Sequence, residues 1–472
     1  MRWLVPATLA LALLPGCSQT GDYQRPESYL PEKWQDSEFA GQNIQATHIE
    51  WRNFFKDQRL QALIASALHY NSDLRIALAR VSETRAQLGI VQADQLPSAN
   101  LSGNKSKSKI PAAFTGTDRP VTTERSEISL TAISFELDFW GRVASLSEAA
   151  KASFLASESA SRAMQISLIS EVANLYFSTL DLDERLLIMR GYIASRIKNR
   201  DVIKRGMELG AAARSEYLMA EATLSSAEGE LANMVNQRAA TEHALRLLVG
   251  KPMHDLPAGK RLHEQDVRND LSPGIPSAVL YARPDVIAAE QRLKEAHANV
   301  AAARAAFLPR MMLTVGLGLA SRSLAGLFAP GSGNWTYQPS MSLPLFDGGR
   351  TAGYQSIAEA RKDSAVADYE KTIQQAFREV ADLVAARTSM ISQRQANDAM
   401  VKAYEERLIV TEARFKSGSA SYLEVLDAQR ELYSAQQSAV QVRRAQLTTS
   451  AQLYKALGGG NTAARDTQDK GA

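Results

Sequence analysis

The segment Glu216-Tyr217-Leu218-Met219-Ala220, which follows Gly210, has a counterpart 208 residues downstream in Glu424-Val425-Leu426-Asp427-Ala428, which follows Gly418. Other pairs keep the same spacing: Leu224 and Leu432, Gly250 and Gly458, Arg142 and Arg350. Upstream the spacing is 212, between Asp73 and Asp285 and between Leu96-Pro97 and Leu308-Pro309. A period that keeps turns, helix ends and Leu-Pro breaks in register predicts a tandem-duplicated chain.

The distribution of proline predicts long helices in both copies. None of the 16 prolines lies between Pro120 and Pro252 or after Pro344. Because an interior proline costs a helix about 3 kcal/mol, such stretches suit long helices. Apolar residues recur there at the spacing of a coiled-coil seam, for example at Val366, Tyr369, Ile373, Phe377, Val380 and Val384. A glycine break interrupts each stretch, at 206–210 and at Gly418, so we predict two long α-hairpins.

Period-two alternation marks three segments between the Leu-Pro breaks and the long helices. Their apolar members are Ile133, Phe135, Leu137 and Phe139 in the first, Leu313, Val315, Leu317 and Leu319 in the second, and Trp335, Tyr337, Met341, Leu343 and Leu345 in the third. A fourth, less regular segment at 100–110 carries Lys105, Lys107 and Lys109. We predict four transmembrane strands, two within about 97–140 and two within about 309–346. Residues 111–125 and 322–333 are predicted to form the loops between them.

Four strands cannot close a barrel, and open sheet edges are not tolerated in lipid. Several chains must therefore share one barrel. Polar residues on the other face of the strands would line its lumen, namely Ser134, Glu136, Thr336 and Gln338. The alternative is the edge of a soluble sandwich, which would need a second buried sheet.

The N-terminus has the pattern of a secretion signal. Arg2 precedes an apolar run from Leu4 to Leu14, which is too short to span a membrane. Leu14-Pro15-Gly16-Cys17 looks like a bacterial lipobox, in which Cys17 becomes the acylated mature N-terminus. In the lipoproteins that it resembles, Ser18 after the cysteine implies sorting to the outer membrane. An ordinary secretion signal that contains a cysteine is the alternative.

Composition excludes several classes of function. The 472 residues include 54 basic and 51 acidic side chains, a balance that gives no argument for nucleic-acid binding. A single cysteine excludes an internal disulfide framework and a cysteine-cluster zinc site. The six histidines form no His-Glu-x-x-His helix, and there is no Walker loop or Gly-x-Ser-x-Gly elbow. We predict no enzymatic activity, no cofactor and no metal site.

Four segments carry a family resemblance. They are two helical openings (Trp51-Arg52-Asn53-Phe54-Phe55 to Arg80-Val81, and Arg283-Pro284-Asp285 to Phe307-Leu308-Pro309), a strand-to-helix junction (Ser342-Leu343-Pro344-Leu345-Phe346-Asp347-Gly348-Gly349-Arg350) and a tip motif (Tyr422-Leu423-Glu424-Val425-Leu426-Asp427-Ala428-Gln429). In this order they resemble TolC-like outer-membrane factors, in particular the lipoprotein subgroup (NodT type) of tripartite resistance-nodulation-division efflux pumps. The resemblance covers roughly residues 17–458.

The resemblance implies a homotrimer in the Gram-negative outer membrane. Its mainly α protomers would each give four strands to one 12-stranded β-barrel and their hairpins to a periplasmic α-helical tunnel. The implied partners are outer-membrane lipid, a periplasmic membrane-fusion adaptor and an inner-membrane resistance-nodulation-division transporter that supplies the energy for passive conduction. The chain would divide into a signal peptide (1–16), a lipidated segment packing at the equator (17–50), a first repeat (51–250), a connector (251–276), a second repeat (277–458) and a flexible tail (459–472).

The resemblance also assigns roles at the hairpin tips. The adaptor would meet the two tips at Leu209, Gly210, Ala211, Ser417, Gly418 and Ser419. Asp427 matches a pore-lining aspartate of the family, and Glu424, three residues before it on the same helix face, would complete an acidic periplasmic gate. Crowded carboxylates attract cations and raise one another's pKa. The family's tyrosine–arginine lock is replaced by Phe415 and Ala420, so we expect closure by packing and by Arg414 or Arg214 pairing with carboxylates.

Two readings compete with an efflux duct. A type I protein secretion channel uses the same fold. A periplasmic coiled-coil scaffold lipoprotein that never forms a pore would use the helices alone, but its apolar strand residues would be an aggregation hazard in water. The sequence does not predict which substrate the protein conducts.

Overall fold

The computed structural model describes residues 23–26, 49–116, 119–253, 256–267 and 280–460. In chain order the elements are α1 (Trp51–Phe54), α2 (Gln58–Tyr70), α3 (Ser72–Ala93), β1 (Ala99–Ile110), β2 (Val121–Leu137), α4 (Arg142–Glu208), α5 (Arg214–Val249), α6 (Pro284–Ala305), β3 (Arg310–Ser321), β4 (Gly333–Ser342), α7 (Arg350–Lys416) and α8 (Tyr422–Ala456). Cys17 and the predicted signal peptide lie outside the described residues.

The element lengths confirm the tandem duplication. Helices α4 and α7 each contain 67 residues and start at Arg142 and Arg350, the spacing read from the sequence. Helices α3 and α6 each contain 22 residues and start 212 positions apart. The two long α-hairpins, α4–α5 and α7–α8, are therefore confirmed. None of the described helices combines the length and the apolar character needed to cross a lipid bilayer.

The chain forms two compact units. Unit 1 comprises the described parts of 1–27, 80–158 and 288–370, and unit 2 those of 28–79, 159–287 and 371–472. Unit 1 contains an antiparallel sheet in the order β1-β2-β3-β4. Within the described residues, β1 pairs only with β2 and β4 only with β3, so the outer edges of both strands lack a partner in this chain.

Strand β2 is longer than the sequence predicted. It begins at Val121, so the expected 111–125 loop is wrong for residues 121–125, which pair with β1. The alternation there was missed because its phase changes. Ile128 and Leu130 occupy even positions, whereas Phe135 and Leu137 occupy odd ones. A β-bulge between Ala132 and Phe135 inserts the extra residue that brings both sets to the same face.

Two predicted strand ends also extend too far. Strand β2 ends at Leu137 and β4 at Ser342, so Phe139, Leu343 and Leu345 lie outside the strands. Gly348 and Gly349, with φ of +66° and +85°, then turn the chain into α7.

Unit 2 is built around an aromatic core where the helices of both repeats meet. Phe54 stacks on Tyr454 with ring centroids 4.5 Å apart, and Phe55 packs edge-on against both rings. The Tyr454 hydroxyl donates to the Ile49 carbonyl at 2.7 Å. The predicted α7 stripe is largely buried, with Ile373, Val380 and Val384 at most 3% exposed.

A buried carboxylate connects the connector to the first repeat. Asp57 is 2% exposed and accepts hydrogen bonds from the Tyr176 hydroxyl (2.8 Å), the Gln265 amide (2.6 Å) and the Lys260 backbone N–H (3.1 Å). It also caps α2 by accepting from the Arg59 backbone N–H at 2.8 Å. Burial alone would raise the pKa of Asp57, but these hydrogen bonds hold it below its usual value.

We expect Asp57→Ala to lower the free energy of unfolding by about 3 kcal/mol, because it leaves the Tyr176 hydroxyl and the Gln265 amide buried without their acceptor. Thermal melting of the detergent-solubilised protein, followed by circular dichroism, measures the change. The exposed Asp363→Ala is the matched control and should melt like the wild type.

The same carboxylate predicts a pH dependence of stability. Because the folded-state pKa of Asp57 lies below the unfolded one, its contribution is full above the unfolded pKa of about 3.9 and is lost as the pH falls through the folded pKa. The difference in the free energy of unfolding between the wild type and Asp57→Asn should therefore become smaller below about pH 4. A constant gap from pH 7 to pH 3 would contradict this.

Candidate channel surfaces and hairpin tips

One face of the sheet in unit 1 is an apolar surface. Strand register places its members on the same side, with Leu101 opposite Leu130, Leu130 opposite Leu317 and Leu317 opposite Trp335. Leu101, Leu317 and Trp335 are 64–75% exposed. An exposed surface of this composition is the pattern that membrane barrels present to lipid.

The opposite face of the sheet is polar. Ser102 and Ser129 hydrogen-bond across β1 and β2 at 3.0 Å, and the Asn334 amide donates to Glu127 at 3.3 Å. The predicted lumen residues Thr336 and Gln338 lie on this face, opposite Gly316 and Thr314. Glu136 lies there too and pairs with Arg142 at 2.6 Å, whereas the side chain of Ser134 lies outside the described set.

Each hairpin tip is a Schellman turn with glycine in the left-handed conformation. In the first, Gly210 has φ +74°, and the Ala211 N–H donates to the Gly206 carbonyl at 2.7 Å. In the second, Gly418 has φ +76°, and the Ser419 N–H donates to the Arg414 carbonyl at 2.9 Å. The predicted tip glycines therefore do end their helices.

The two tips present different surfaces. Leu209 projects from the first tip with 84% exposure. At the second tip, the hydroxyls of Ser417 and Ser419 lie 2.9 Å apart, and both donate to the Arg414 carbonyl, at 2.9 and 3.1 Å. These serines are therefore part of the turn as well as of its surface.

The predicted gate carboxylates lie in the first turns of α8 and are about half exposed. Glu424 forms a capping box with Ser421, whose backbone N–H donates to the carboxylate at 3.0 Å, and its carboxylate lies 3.5 Å from Arg414. Asp427 lies 3.3 Å from Arg430. Of the two arginines that the sequence suggests as partners of carboxylates, Arg414 thus pairs with Glu424 of its own chain.

Hydrogen bonds from the backbone and side chain of Ser421, with the charge of Arg414, lower the pKa of Glu424 within one chain. Crowding between copies was expected to act in the opposite direction. That expectation concerns several chains together and stays a prediction. At Glu424, the hydrogen bonds of the capping box oppose such a rise in pKa.

Buried polar contacts bring the two hairpins together near their tips. Arg196 on α4 is 4% exposed, stacks on the Tyr192 ring at 4.5 Å and donates to the Leu426 carbonyl at 3.3 Å. One turn further, the Asn199 amide donates to the Gln429 side chain at 2.9 Å. Both tips therefore lie at the same end of the helix bundle in unit 2.

Sequence reasoning missed the roles of Arg196 and Asn199. The only signal was a pair of polar residues on the inner side of an otherwise apolar helix stripe. Gln429 ends the tip motif, and the sequence assigns it no role there.

Apolar packing accompanies these contacts at the second tip. The rings of Phe415 and Tyr422 lie 5.8 Å apart. Burial raises the pKa of the Tyr422 hydroxyl to about 12, so this group is neutral at physiological pH. Closure of the tips by packing between chains stays a prediction.

No metal-binding cluster of three or more histidine, cysteine, aspartate or glutamate residues occurs in the part of the chain that the structure describes. His263, in the connector, has its Nδ1 3.2 Å from Glu184. This pair joins the connector to α4.

The chain matches the family model described as outer membrane efflux protein over residues 63–251 and 275–459. It is 35% identical to the outer membrane protein OprJ of Pseudomonas aeruginosa over 97% of this chain and 95% of OprJ. It is 36% identical to the toluene efflux pump outer membrane protein TtgC of Pseudomonas putida, over the same shares of the two chains.

Solved structures agree with the sequence comparison. The open state of the MtrE outer membrane channel of Neisseria gonorrhoeae superposes with a TM-score of 0.86 at 34% identity, covering 94% of this chain and 99% of that one. The family model, the relatives and the solved structures thus agree. The chain belongs to the outer membrane efflux protein family.

Proposed function

We propose that this protein is the outer-membrane exit duct of a tripartite efflux pump and conducts small molecules passively as a homotrimer. The observation that carries the proposal is the four-stranded sheet, which has one exposed apolar face, one polar face and two edges that pair with no other described residue of the chain. Such a sheet is stable in lipid only when its edges pair with those of other copies.

Strand number supports three copies. Two copies would give an eight-stranded barrel, whose interior is just wide enough to be filled by side chains. Three copies give the 12 strands that the family resemblance implies and leave room for a water-filled lumen. The polar face with Thr336 and Gln338 would line that lumen.

The partners follow from the same proposal. A passive duct needs an inner-membrane resistance-nodulation-division transporter for energy and a periplasmic adaptor to join the two. Relatives named for toluene and antibiotic efflux favour a small-molecule cargo. A type I secretion channel and a non-conducting scaffold remain the alternatives that experiment must separate.

We test conduction by planar-bilayer recording of the purified trimer in a salt gradient at several pH values. We expect cation-selective channels, because Glu424 and Asp427 from three chains would place six carboxylates where the tunnel narrows. Since crowding between copies is predicted to raise the pKa of these carboxylates, selectivity should weaken as the pH falls toward 5, and the hydrogen bonds from Ser421 to Glu424 limit that loss. Absence of conductance at every pH would favour the scaffold.

The double variant Glu424→Gln/Asp427→Asn should move the reversal potential toward zero. Glutamine also serves in a capping box, so the helix start is preserved. Glu83→Gln/Asp363→Asn, which removes two exposed carboxylates from α3 and α7, is the control and should leave the reversal potential unchanged. An unchanged potential in the gate variant would remove Glu424 and Asp427 as the selectivity element.

Lipidation of Cys17 is the second part of the proposal. Acyl chains each add membrane affinity in proportion to their buried CH₂ groups, and the barrel would already anchor the trimer. We expect metabolic palmitate labelling of the wild type and none of Cys17→Ser, which should still fold and form trimers but show reduced membrane retention. Equal labelling of both proteins would contradict lipidation.

The exposed tips are the proposed adaptor site. Ala211 is exposed in the first tip, and its backbone rather than its side chain makes the turn, whereas the Ser419 hydroxyl is part of the turn. We therefore expect Ala211→Trp to abolish drug efflux in cells while trimer formation and conductance stay normal. Ala232→Trp, at an exposed site in the middle of α5, is the control and should retain efflux. If both variants retain efflux, the first tip does not dock the adaptor.

A further inference from the structure

Three lysines continue the apolar face of the sheet beyond its last apolar row. Side chains alternate between the two faces along a strand, so the odd-numbered residues of β1 share the face of Leu101. This is the apolar face, because Leu101 lies opposite Leu130. Lys105, Lys107 and Lys109 therefore lie on this apolar face and not on the polar one. All three are exposed.

Their position along the strand is defined by the register. The apolar face extends on β3 from Met311 to Leu319, about 26 Å at 3.3 Å per residue. Leu319 lies opposite Ile128, and Ile128 opposite Gly103, so Gly103 marks the end of the apolar rows on β1. Beyond it the face becomes polar, with Lys105 opposite Ser126.

At a strand tilt typical of barrels, the three lysines stand about 5, 10 and 15 Å above that last apolar row. The polar layer of a bilayer extends about 5–8 Å beyond each side of the hydrocarbon core, so Lys105 lies within it, and Lys107 and Lys109 lie beyond its outer boundary. Lysine side chains are long enough to reach phosphates across that layer.

The local charge is positive. Lys107 pairs with Glu124, directly opposite on β2, which leaves the ammonium groups of Lys105 and Lys109 on either side of the pair. Four charged side chains thus give this surface a net charge of +2. The end of the sheet that carries them is the end of the 111–120 connection, whereas the opposite ends of the strands lead into helices.

We propose that Lys105, Lys107 and Lys109 form a binding surface for the phosphate groups of the phosphorylated glycolipid in the outer leaflet of the outer membrane. The proposal rests on the proposed function, because only an outer-membrane barrel places this end of the sheet at the cell surface. It adds a lipid headgroup partner that the channel activity itself does not require. Basic residues next to a bilayer surface each strengthen binding to anionic lipid by about fivefold.

The test incubates the full-length trimer, solubilised in detergent and immobilised on resin, with diphosphoryl lipid A in the same detergent. The lipid A retained after washing is quantified by mass spectrometry. We expect Lys105→Gln/Lys107→Gln/Lys109→Gln to retain about a hundredfold less lipid A than the wild type, and the Lys→Arg triple variant to retain as much. Retention by the wild type should fall as salt is raised.

Two further variants keep the result interpretable. Lys105→Gln/Lys109→Gln preserves the Lys107–Glu124 pair and should fold even if the triple variant does not, with an intermediate loss of lipid A. Lys151→Gln/Lys371→Gln/Lys402→Gln removes the same charge from exposed helix positions and should retain lipid A like the wild type.

Three outcomes would overturn the proposal: equal retention by the lysine-to-glutamine variants and the wild type, equal retention of dephosphorylated lipid A by the wild type, or release of lipid A by millimolar inorganic phosphate. Conductance is recorded for every variant. Normal conductance with unchanged lipid A retention would reject this surface alone, whereas a non-conducting wild type would reject the proposed function.

Discussion

The unpaired edges of the sheet are the constraint on which the rest of the molecule depends. Strands β1 and β4 each pair on one side within the described chain, and each unsatisfied backbone group in lipid costs several kcal/mol. A closed barrel made from several copies satisfies these groups. The duplication serves this purpose, because each repeat supplies two strands between a pair of helices of matching length.

Closure also requires that every strand keep one face for lipid and one for the lumen. The bulge between Ala132 and Phe135 meets this requirement, since it moves the apolar residues of β2 from even to odd positions without moving them across the sheet. Without the extra residue, Phe135 and Leu137 would face the polar side. The bulge in β2 is thus a condition for one continuous apolar surface across β2 and β3.

Unit 2 depends on buried polar groups as much as on its aromatic core. Asp57 gathers donors from α4 and from the connector, and Arg196 and Asn199 join α4 to α8. Such groups contribute little net energy, but a shifted register would leave them unsatisfied and therefore costs free energy. They fix how the two hairpins align, and with that the relative position of the two tips.

The sequence by itself determined the duplication, the two hairpins with their glycine turns and the existence of four strands, because periodicity and turn chemistry are local properties of the chain. The family followed from the resemblance of four separate motifs. Only the tertiary structure decided the start of β2, the bulge that hides its alternation, and the contacts of Arg196 with Leu426 and of Asp57 with Gln265. These last pairs are separated by 230 and 208 residues. Their meeting depends on how whole helices pack, and no local pattern records it.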